Sequence, residues 1–252
     1  MKYTKNLFKD GQINITINET LGDTISERIN TYTDLFMVKS IANAYKNLMP
    51  HIPMRIFIPC LLGQRSDRRF DENQSFDLKI ICDFINSCGF EKIIVFDPHS
   101  DVCLGMLNNS VKQEPLPFVK LCLQDTGTDN IVLVSPDAGA YKKVFKYAQE
   151  LNLPLIAANK FRASDNNITL SILGDVKDKE CLIVDDYADG GRTFVELAKK
   201  LKEQGASRVC LYVSHGLFSY GFDEIEKHID RVFCTNSIQD IRHPLVTQFA
   251  II

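Results

Sequence analysis

The stretch CLIVDDYADGGRT, residues 181–193, decides the fold of this 252-residue chain. It opens with an apolar run that is typical of a buried β-strand and that reaches Asp185 and Asp186. A glycine-containing loop over residues 189–193 follows, and apolar residues then recur at helical spacing until Gly205. A strand that passes through a short loop into a helix is the unit from which parallel α/β sheets are built.

The same alternation of strand and helix extends along the chain in both directions. Short runs that are mostly β-branched and do not alternate with polar residues are typical of strands buried on both faces. They are residues 55–59, 92–97, 131–135, 154–158, 208–214 and 231–235. Between them, stretches such as 76–88 and 194–204 have one apolar face at helical spacing. The sequence therefore predicts an α/β protein with two doubly wound parallel-sheet domains and right-handed crossovers.

A break in this rhythm marks the expected domain boundary. Residues 112–129 contain Pro115 and Pro117 and then a Gly/Thr/Asp cluster, which predicts a crossing between two halves. We expect an N-terminal domain over 1–114, a C-terminal domain over 115–240, and a tail over 241–252. The apolar end of the tail, residues 245–252, is expected to pack as a last strand against the first half.

Composition limits the classes of partner. A formal net charge of −3 gives no bulk attraction to nucleic acid or to an anionic membrane, so neither is expected as a partner. The start, MKYTKNLFKDGQ, lacks the apolar core of a signal peptide, and no apolar stretch is long enough to span a bilayer. The eight cysteines never form a CxxC pair, which predicts buried, reduced thiols in a cytoplasmic protein.

The loop over residues 189–193 has the chemistry of an anion site. Glycines let the backbone approach a phosphate closely, and the amides of the first helical turn point toward it. Asp185 and Asp186, at the carboxyl end of the strand, would face ribose hydroxyls or a bridging metal behind that phosphate. An acidic turn that only caps a helix is the alternative interpretation.

These residues resemble a known family. DDYADGGRT is similar to the phosphoribosyl pyrophosphate loop shared by type I phosphoribosyltransferases and ribose-phosphate diphosphokinases. Other segments resemble the diphosphokinases in family order: FKDGQI (8–13, the weakest), IPCLLGQRSDRRF (58–70), VFDPHS (95–100), VSPDAGAYKKV (134–144), NKFRAS (159–164), SHGLFSYG (214–221) and CTNSI (234–238). The resemblance implies domains of the phosphoribosyltransferase type I kind, with ATP in the cleft between them. It also implies Mg²⁺-dependent transfer of the β,γ-diphosphate of ATP to the C1 hydroxyl of ribose 5-phosphate, giving phosphoribosyl pyrophosphate and AMP.

The resemblance also assigns roles. The ATP-binding residues would be Phe8, Asp10, Gln12, Arg65, Asp67 and His99, and the metal residues Asp97, His99 and Asp137. The ribose-phosphate-binding residues would be Asp137, Asp185, Asp186, Asp189, Gly190, Gly191, Arg192 and Thr193. Lys160 and Arg162 would be catalytic, because two cations on one mobile loop can close over the triphosphate and neutralise the transferring group.

Each assignment has a plainer alternative in the residues themselves. Lys160 and Arg162 could be solvated surface cations. Arg65 and Asp67 could belong to a surface ion-pair cluster with Arg68 and Arg69. His99 could be a hydrogen-bonded core residue, since imidazole is a softer ligand than Mg²⁺ usually takes.

Departures from the family pattern bear on which acceptor the chain uses and on which oligomer it forms. Gly190 stands where the loop usually has Thr, and Arg192 where it has a second Gly. The added cation could serve a larger acceptor such as ADP-ribose, giving ADP-ribose pyrophosphate for NAD recovery. Ser66 in place of Gln and Gln12 in place of Glu predict shifted adenine recognition. The short chain makes hexamer assembly and allosteric control uncertain, but a dimer or larger homo-oligomer is expected if Phe8 serves a neighbour's ATP.

Two other functions remain open at this stage. A type I phosphoribosyltransferase would consume the activated ribose instead of making it. A non-catalytic, nucleotide-sensing homologue would bind ATP without forming AMP. The loop with Lys160 and Arg162 and the stretch 58–70 argue against the first function. The intact pair of Asp185 and Asp186, together with the same two cations, argues against the second.

Overall fold

The computed structural model describes residues 2–19, 22–69, 71–126, 130–162 and 168–252, and for 159–162 and 168–170 it describes the backbone alone. The chain divides into two compact units, the first ending at Glu114 and the second spanning Pro115–Ile251. Each unit is an α/β structure with a parallel sheet, which confirms the predicted fold class.

The sheet of the first unit contains the strands β3 to β6, paired in chain order and all parallel. Its elements are β3 (Thr24–Ser26), α1 (Tyr32–Leu48), β4 (Arg55–Ile58), α2 (Asp77–Ser87), β5 (Lys92–Phe96), α3 (Val102–Met106) and β6 (Ser110–Gln113). Helix α1 begins with a capping box, in which Thr31 and Asp34 accept each other's backbone N–H. Helix α2 confirms the helix predicted over 76–88, although Ile80 points to solvent and not inward.

An antiparallel hairpin precedes this sheet and was not predicted. It consists of β1 (Lys2–Leu7) and β2 (Ile13–Glu19). Tyr3, Ile13, Ile15 and Ile17 are only partly buried, and they pack against the core of the first unit. Because one face of the hairpin is polar and exposed, its apolar signal is too weak to distinguish from a loop.

The second unit contains a seven-stranded sheet in the order β13-β12-β11-β10-β7-β8-β9. Its elements are α4 (Leu116–Thr126), β7 (Ile131–Ser135), α5 (Ala138–Leu151), β8 (Leu155–Arg162), β9 (Ile168–Leu173), β10 (Glu180–Ala188), α6 (Arg192–Glu203), β11 (Arg208–Gly216), β12 (Arg231–Thr235) and β13 (Val246–Phe249). All neighbouring strands are parallel except β8 and β9.

Strand β10 explains why the deciding stretch lacks alternation. Its side chains enter two hydrophobic cores, one on each face of the sheet. Cys181 and Ile183 join the core that contains α6, and Leu182 and Val184 join the core that contains α4 and α5. An apolar residue is therefore required at every position, as in other parallel strands covered by helices on both faces.

The segments at the two ends of the second unit contain a helix that the sequence analysis did not describe and a strand whose neighbour differs from the expected one. The crossing segment contains a helix, α4, because Pro115 and Pro117 lie before and within its first turn, where a missing N–H costs nothing. The strand expected within residues 245–252 is present as β13 (Val246–Phe249). It pairs in parallel with β12 and extends the second sheet, so its expected strand neighbour is corrected.

Candidate active site

The anion loop of the second unit lies between β10 and α6. Strand β10 continues two residues beyond Asp186, and α6 begins at Arg192, so the loop is shorter than the sequence suggested. Gly191 caps the helix with φ 76°, a left-handed conformation, and has no side chain to accept from the first turn. The amides at this helix N-terminus can therefore serve an external anion, for which the helix dipole adds attraction.

The two residues of the acidic pair interact with each other. Asp186 is only 6% exposed, and its backbone N–H donates to Oδ1 of Asp185 at 2.8 Å. Burial, and next the negative charge of Asp186, raise the pKa of Asp185 well above its usual value. A carboxylate pair that is buried in this way is stabilised by hydroxyl donors or by a cation.

The segment that follows β11 braces the loop. The backbone N–H of Leu217 donates to the carbonyl oxygen of Ala188 at 2.8 Å, and that of Ser219 donates to the carbonyl oxygen of Asp189 at 3.1 Å. The Ser219 hydroxyl also donates to Oδ1 of Asp189 at 2.6 Å. Asp189 is therefore held by the neighbouring segment, and we infer that it shapes the loop.

The predicted ribose and metal residue Asp137 follows β7, the strand next to β10. Because both strands run in parallel, Asp137 lies at the same edge of the sheet as Asp185 and Asp186. Asp137 is also the N-cap of α5, where Oδ1 accepts from the N–H of Ala140 at 3.0 Å. Its carboxylate therefore already has one structural function.

The predicted catalytic cations stand on a β-ribbon. Strand β8 pairs with β7 up to Ala157 and then continues through Lys160 to Arg162, paired only with β9. At about 3.3 Å per residue, Lys160 lies roughly 10 Å along the strand beyond that last pair. The side chains of both cations lie outside the described part of the chain, so their direction stays a prediction, as does the role of residues 163–164.

The first unit brings together two of the segments assigned to ATP and metal. Gln64 is 3% exposed, and its Oε1 accepts from the backbone N–H of His99 at 3.0 Å. Its Nε2 donates to Sγ of Cys60 at 3.4 Å. Gln64 therefore ties segment 58–69 to segment 95–100.

Asp97 directly follows β5 and has an unusual backbone conformation. It has φ 39° and is fully buried, and its N–H donates to the carbonyl oxygen of Gln113. A non-glycine residue in the left-handed region is held there by its surroundings, and such strain is concentrated at functional sites. Arg65 is exposed, and Asp67 forms a long ion pair with the adjacent Arg68, with Nε and Oδ1 3.9 Å apart.

The remaining predicted ATP residues lie at the tip of the N-terminal hairpin. Phe8 is 50% exposed, and its N–H donates to the carbonyl oxygen of Gln12. Oδ1 of Asp10 accepts from the N–H of Gln12 at 3.0 Å. Asp10 therefore builds the turn, and Phe8 is left available for contact with another group.

Sequence reasoning missed three residues that shape these sites. Gln64 lay within a recognised segment, but its burial follows from the path of the chain after β4 and leaves no local signal. Ser219 and Tyr220 are polar loop residues by pattern, and only the fold brings them against residues 188–190. The described residues contain no cluster of three metal-ligating side chains.

Comparisons with known proteins identify the family of the chain. Residues 119–246 match the phosphoribosyl transferase domain family. A ribose-phosphate pyrophosphokinase of Thermosipho africanus is 30% identical over 254 residues, which cover 94% of this chain and 78% of that protein. The enzyme of Mycoplasma genitalium is 33% identical over 198 residues, but these cover only 59% of its length. The crystal structure of phosphoribosylpyrophosphate synthetase from Mycobacterium smegmatis has the same fold, with a TM-score of 0.84 and 22% identity over 99% of this chain and 86% of that one.

The fold and the β10–α6 loop thus define a protein with a phosphoribosyl transferase domain. More narrowly, the chain belongs to the ribose-phosphate pyrophosphokinase family, as the resemblance implied. In the described residues, no helix is both long enough and apolar enough to cross a bilayer.

Proposed function

We propose that this chain transfers the β,γ-diphosphate of ATP to the C1 hydroxyl of ribose 5-phosphate. The hydroxyl oxygen attacks the β-phosphorus, the bond between that phosphorus and the α,β-bridging oxygen breaks, and AMP leaves. The hydroxyl proton is released, and the product is phosphoribosyl pyrophosphate. Family membership and the names of the relatives support this reaction.

The observation that carries the proposal is the acidic pair close to a helix N-terminus that no side chain caps. Asp185 and Asp186 lie on β10, six and five residues before the N-cap Gly191. A sugar phosphate offers the matching groups, with a dianionic phosphate at one end and hydroxyl donors beside it. The loop amides would bind the phosphate, and the carboxylates would accept from the ribose hydroxyls.

ATP is assigned to residues of the first unit. Arg65 could contact phosphate or adenine, and Asp67 could accept from the adenine amino group. Phe8 offers an exposed ring for the adenine of an ATP that is bound to the same chain or to a neighbouring subunit. Lys160 and Arg162, on the second unit's ribbon, would neutralise the charge of the transferring group, because phosphoryl-type transfer depends on positioning and charge stabilisation.

The residues present fit Mg²⁺. This ion takes oxygen ligands and is commonly held by one or two carboxylates together with substrate phosphates. Asp97 and His99 of the first unit and Asp137 of the second are the residues assigned to the metal. Asp137 is a partly exposed carboxylate and His99 is exposed, whereas Asp97 is fully buried. When bound, Mg²⁺ offsets the negative charge of the phosphates.

A second acceptor is supported by one observation. Arg192 is exposed at the start of α6, and in the described part of the chain no carboxylate lies within ion-pair distance of it. An acceptor with a second phosphate, such as ADP-ribose, would use this cation. Arg192→Gly should lower the relative rate with ADP-ribose, and an unchanged acceptor preference would show that Arg192 does not select the acceptor.

The test of the main proposal is AMP release from ATP and Mg²⁺ with ribose 5-phosphate as acceptor, together with the product mass. Asp186→Asn should lower kcat/KM by at least about tenfold, as expected for loss of a charged hydrogen bond. Asp175→Asn, at a side chain that is 76% exposed, is the matched control and should leave activity unchanged. AMP formation only with a base substrate would indicate a phosphoribosyltransferase, and ATP binding without AMP a sensor.

We also propose a cytoplasmic homo-oligomer. All eight cysteines are free and buried, which suits a reducing compartment. Tyr32, Phe36 and Ile80 are each more than half exposed on α1 and α2, and such apolar side chains are typical of subunit contacts. Light scattering after gel filtration should give a mass of at least twice 28.6 kDa, and a monomer at working concentration would refute this.

A further inference from the structure

Tyr220 is an exposed aromatic residue at the anion loop. Its relative exposure is 86%, the highest among the exposed large hydrophobic residues of the described chain. Its ring nevertheless touches the loop, since a Cβ added to Gly190 would lie 2.7 Å from Cδ2 and 2.8 Å from Cε2 of Tyr220. One side of the ring therefore covers Gly190, and most of the rest faces solvent.

The backbone on both sides of Tyr220 is fixed. Ser219 is bonded to Asp189 through its N–H and through its hydroxyl. The N–H of Gly221 donates to the carbonyl oxygen of Phe218, which has φ 47°. Phe218 is itself buried and packs against Phe222, with ring centroids 4.8 Å apart and ring planes tilted by 41°. The ring is thus presented by an ordered turn.

Tyr220 and Arg192 together provide a recognisable pair of groups. Both belong to or touch the Gly190–Gly191 loop, and both are exposed. A planar aromatic ring binds a planar base by stacking, and a guanidinium binds phosphate. Ribose 5-phosphate contains neither a base nor a second phosphate.

We propose that Tyr220 is a specificity-determining residue that stacks on a planar base carried by the acceptor. The acceptor recognised in this way, in addition to ribose 5-phosphate, is a ribose whose 5-phosphate is joined to a second phosphate bearing a nucleoside, with Arg192 contacting that second phosphate. This inference rests on the proposed function, because it places an extended acceptor in the same loop. The proposed ligand of Tyr220 is thus a nucleotide-type ester. The alternative role for its exposed ring, which the experiment distinguishes, is self-association of the chain.

The experiment compares two acceptors, ribose 5-phosphate and ADP-ribose, with ATP and Mg²⁺. Tyr220→Ala should lower the ratio of kcat/KM for ADP-ribose to kcat/KM for ribose 5-phosphate by about tenfold, within the range found for loss of one base-stacking contact. Tyr220→Phe keeps the ring and should retain the ratio. Phe145→Ala, at another exposed aromatic residue, on α5, is the control and should leave it unchanged.

The outcomes separate this inference from the proposed function. If neither acceptor gives AMP, the proposed function fails. If the enzyme uses ribose 5-phosphate but neither uses nor binds ADP-ribose in calorimetry, only the inference on Tyr220 fails. It also fails if Tyr220→Ala leaves the ratio unchanged, or if that variant alters the mass in gel filtration and both acceptors lose activity equally.

Discussion

Gly191→Ala tests whether the anion loop has the backbone described here. Gly191 has φ 76°, and an added Cβ would lie 2.9 Å from Cδ1 of Ile225, which is 2% exposed. Two separate costs are expected, one from the left-handed backbone and one from the crowded contact. Gly221 supplies the matched control, since it has φ 71° and nothing within 4 Å of its added Cβ.

The magnitudes follow from these two terms. A left-handed alanine costs roughly 1–2 kcal/mol, offset by about 0.4–1 kcal/mol because alanine restricts the unfolded chain. Gly221→Ala should therefore lower the free energy of unfolding by about 1 kcal/mol. Overpacking adds roughly 1–3 kcal/mol, so Gly191→Ala should cost about 2–4 kcal/mol.

The assay is urea unfolding followed by far-UV circular dichroism, with acceptor KM measured on the same preparations. Ile225→Val removes the crowded Cδ1 atom, and in the double variant it should recover part of the cost of Gly191→Ala. The KM for ribose 5-phosphate should rise in Gly191→Ala and stay constant in Gly221→Ala. Equal losses of stability in the two glycine variants, or no recovery with Ile225→Val, would refute the reasoning.

Three further predictions concern other parts of the molecule. Gln64→Leu leaves the N–H of His99 without its acceptor and should cost about 1–3 kcal/mol and raise the KM for ATP, while Gln149→Leu on an exposed surface should do neither. Asp137→Asn keeps a capping oxygen, so it should retain stability but lose activity. Asp137→Ala should in addition lower the free energy of unfolding by about 1 kcal/mol. Equal activity in Asp137→Asn and the native enzyme would contradict a binding role for the carboxylate. Burial raises the pKa of the Cys103 thiol to about 11, so at pH 8 only about one in a thousand of these thiols is a thiolate. The buried cysteines should therefore react with Ellman's reagent only in denaturant, and all eight thiols should then react.

The sequence predicted the parts of the fold that have strong local signals. Strands β4, β5, β7, β8, β10, β11 and β12 are short apolar runs, and the spacing in α6 placed Val195, Leu197 and Leu201 inward, as found. Strands β1, β2, β3, β6 and β9 were missed, because each is very short or carries polar residues. Strand β13 was predicted as a strand but with the wrong neighbour, since strand pairing depends on tertiary contacts that periodicity does not encode.

The site was predictable where one segment contains the whole feature. The loop between β10 and α6 is continuous in sequence, so Gly190, Gly191 and the acidic pair could be identified together. The bracing by Ser219 and the contact of Tyr220 arise from a segment thirty residues further along the chain, which pattern alone does not bring near. The structural roles of Asp10 in its turn and of Asp137 as a helix cap could not be predicted either. A carboxylate that caps or forms a turn has the same sequence signal as one that binds a ligand.

The most direct test of the account follows the β-phosphorus of ATP. ATP labelled at that position is incubated with the chain, Mg²⁺ and ribose 5-phosphate, and the products are separated by anion exchange. We expect the label in a sugar diphosphate and an unlabelled AMP in equal amount. Label retained in ADP, or AMP formed without a labelled sugar ester, would contradict diphosphate transfer to the ribose ester held at residues 185–193.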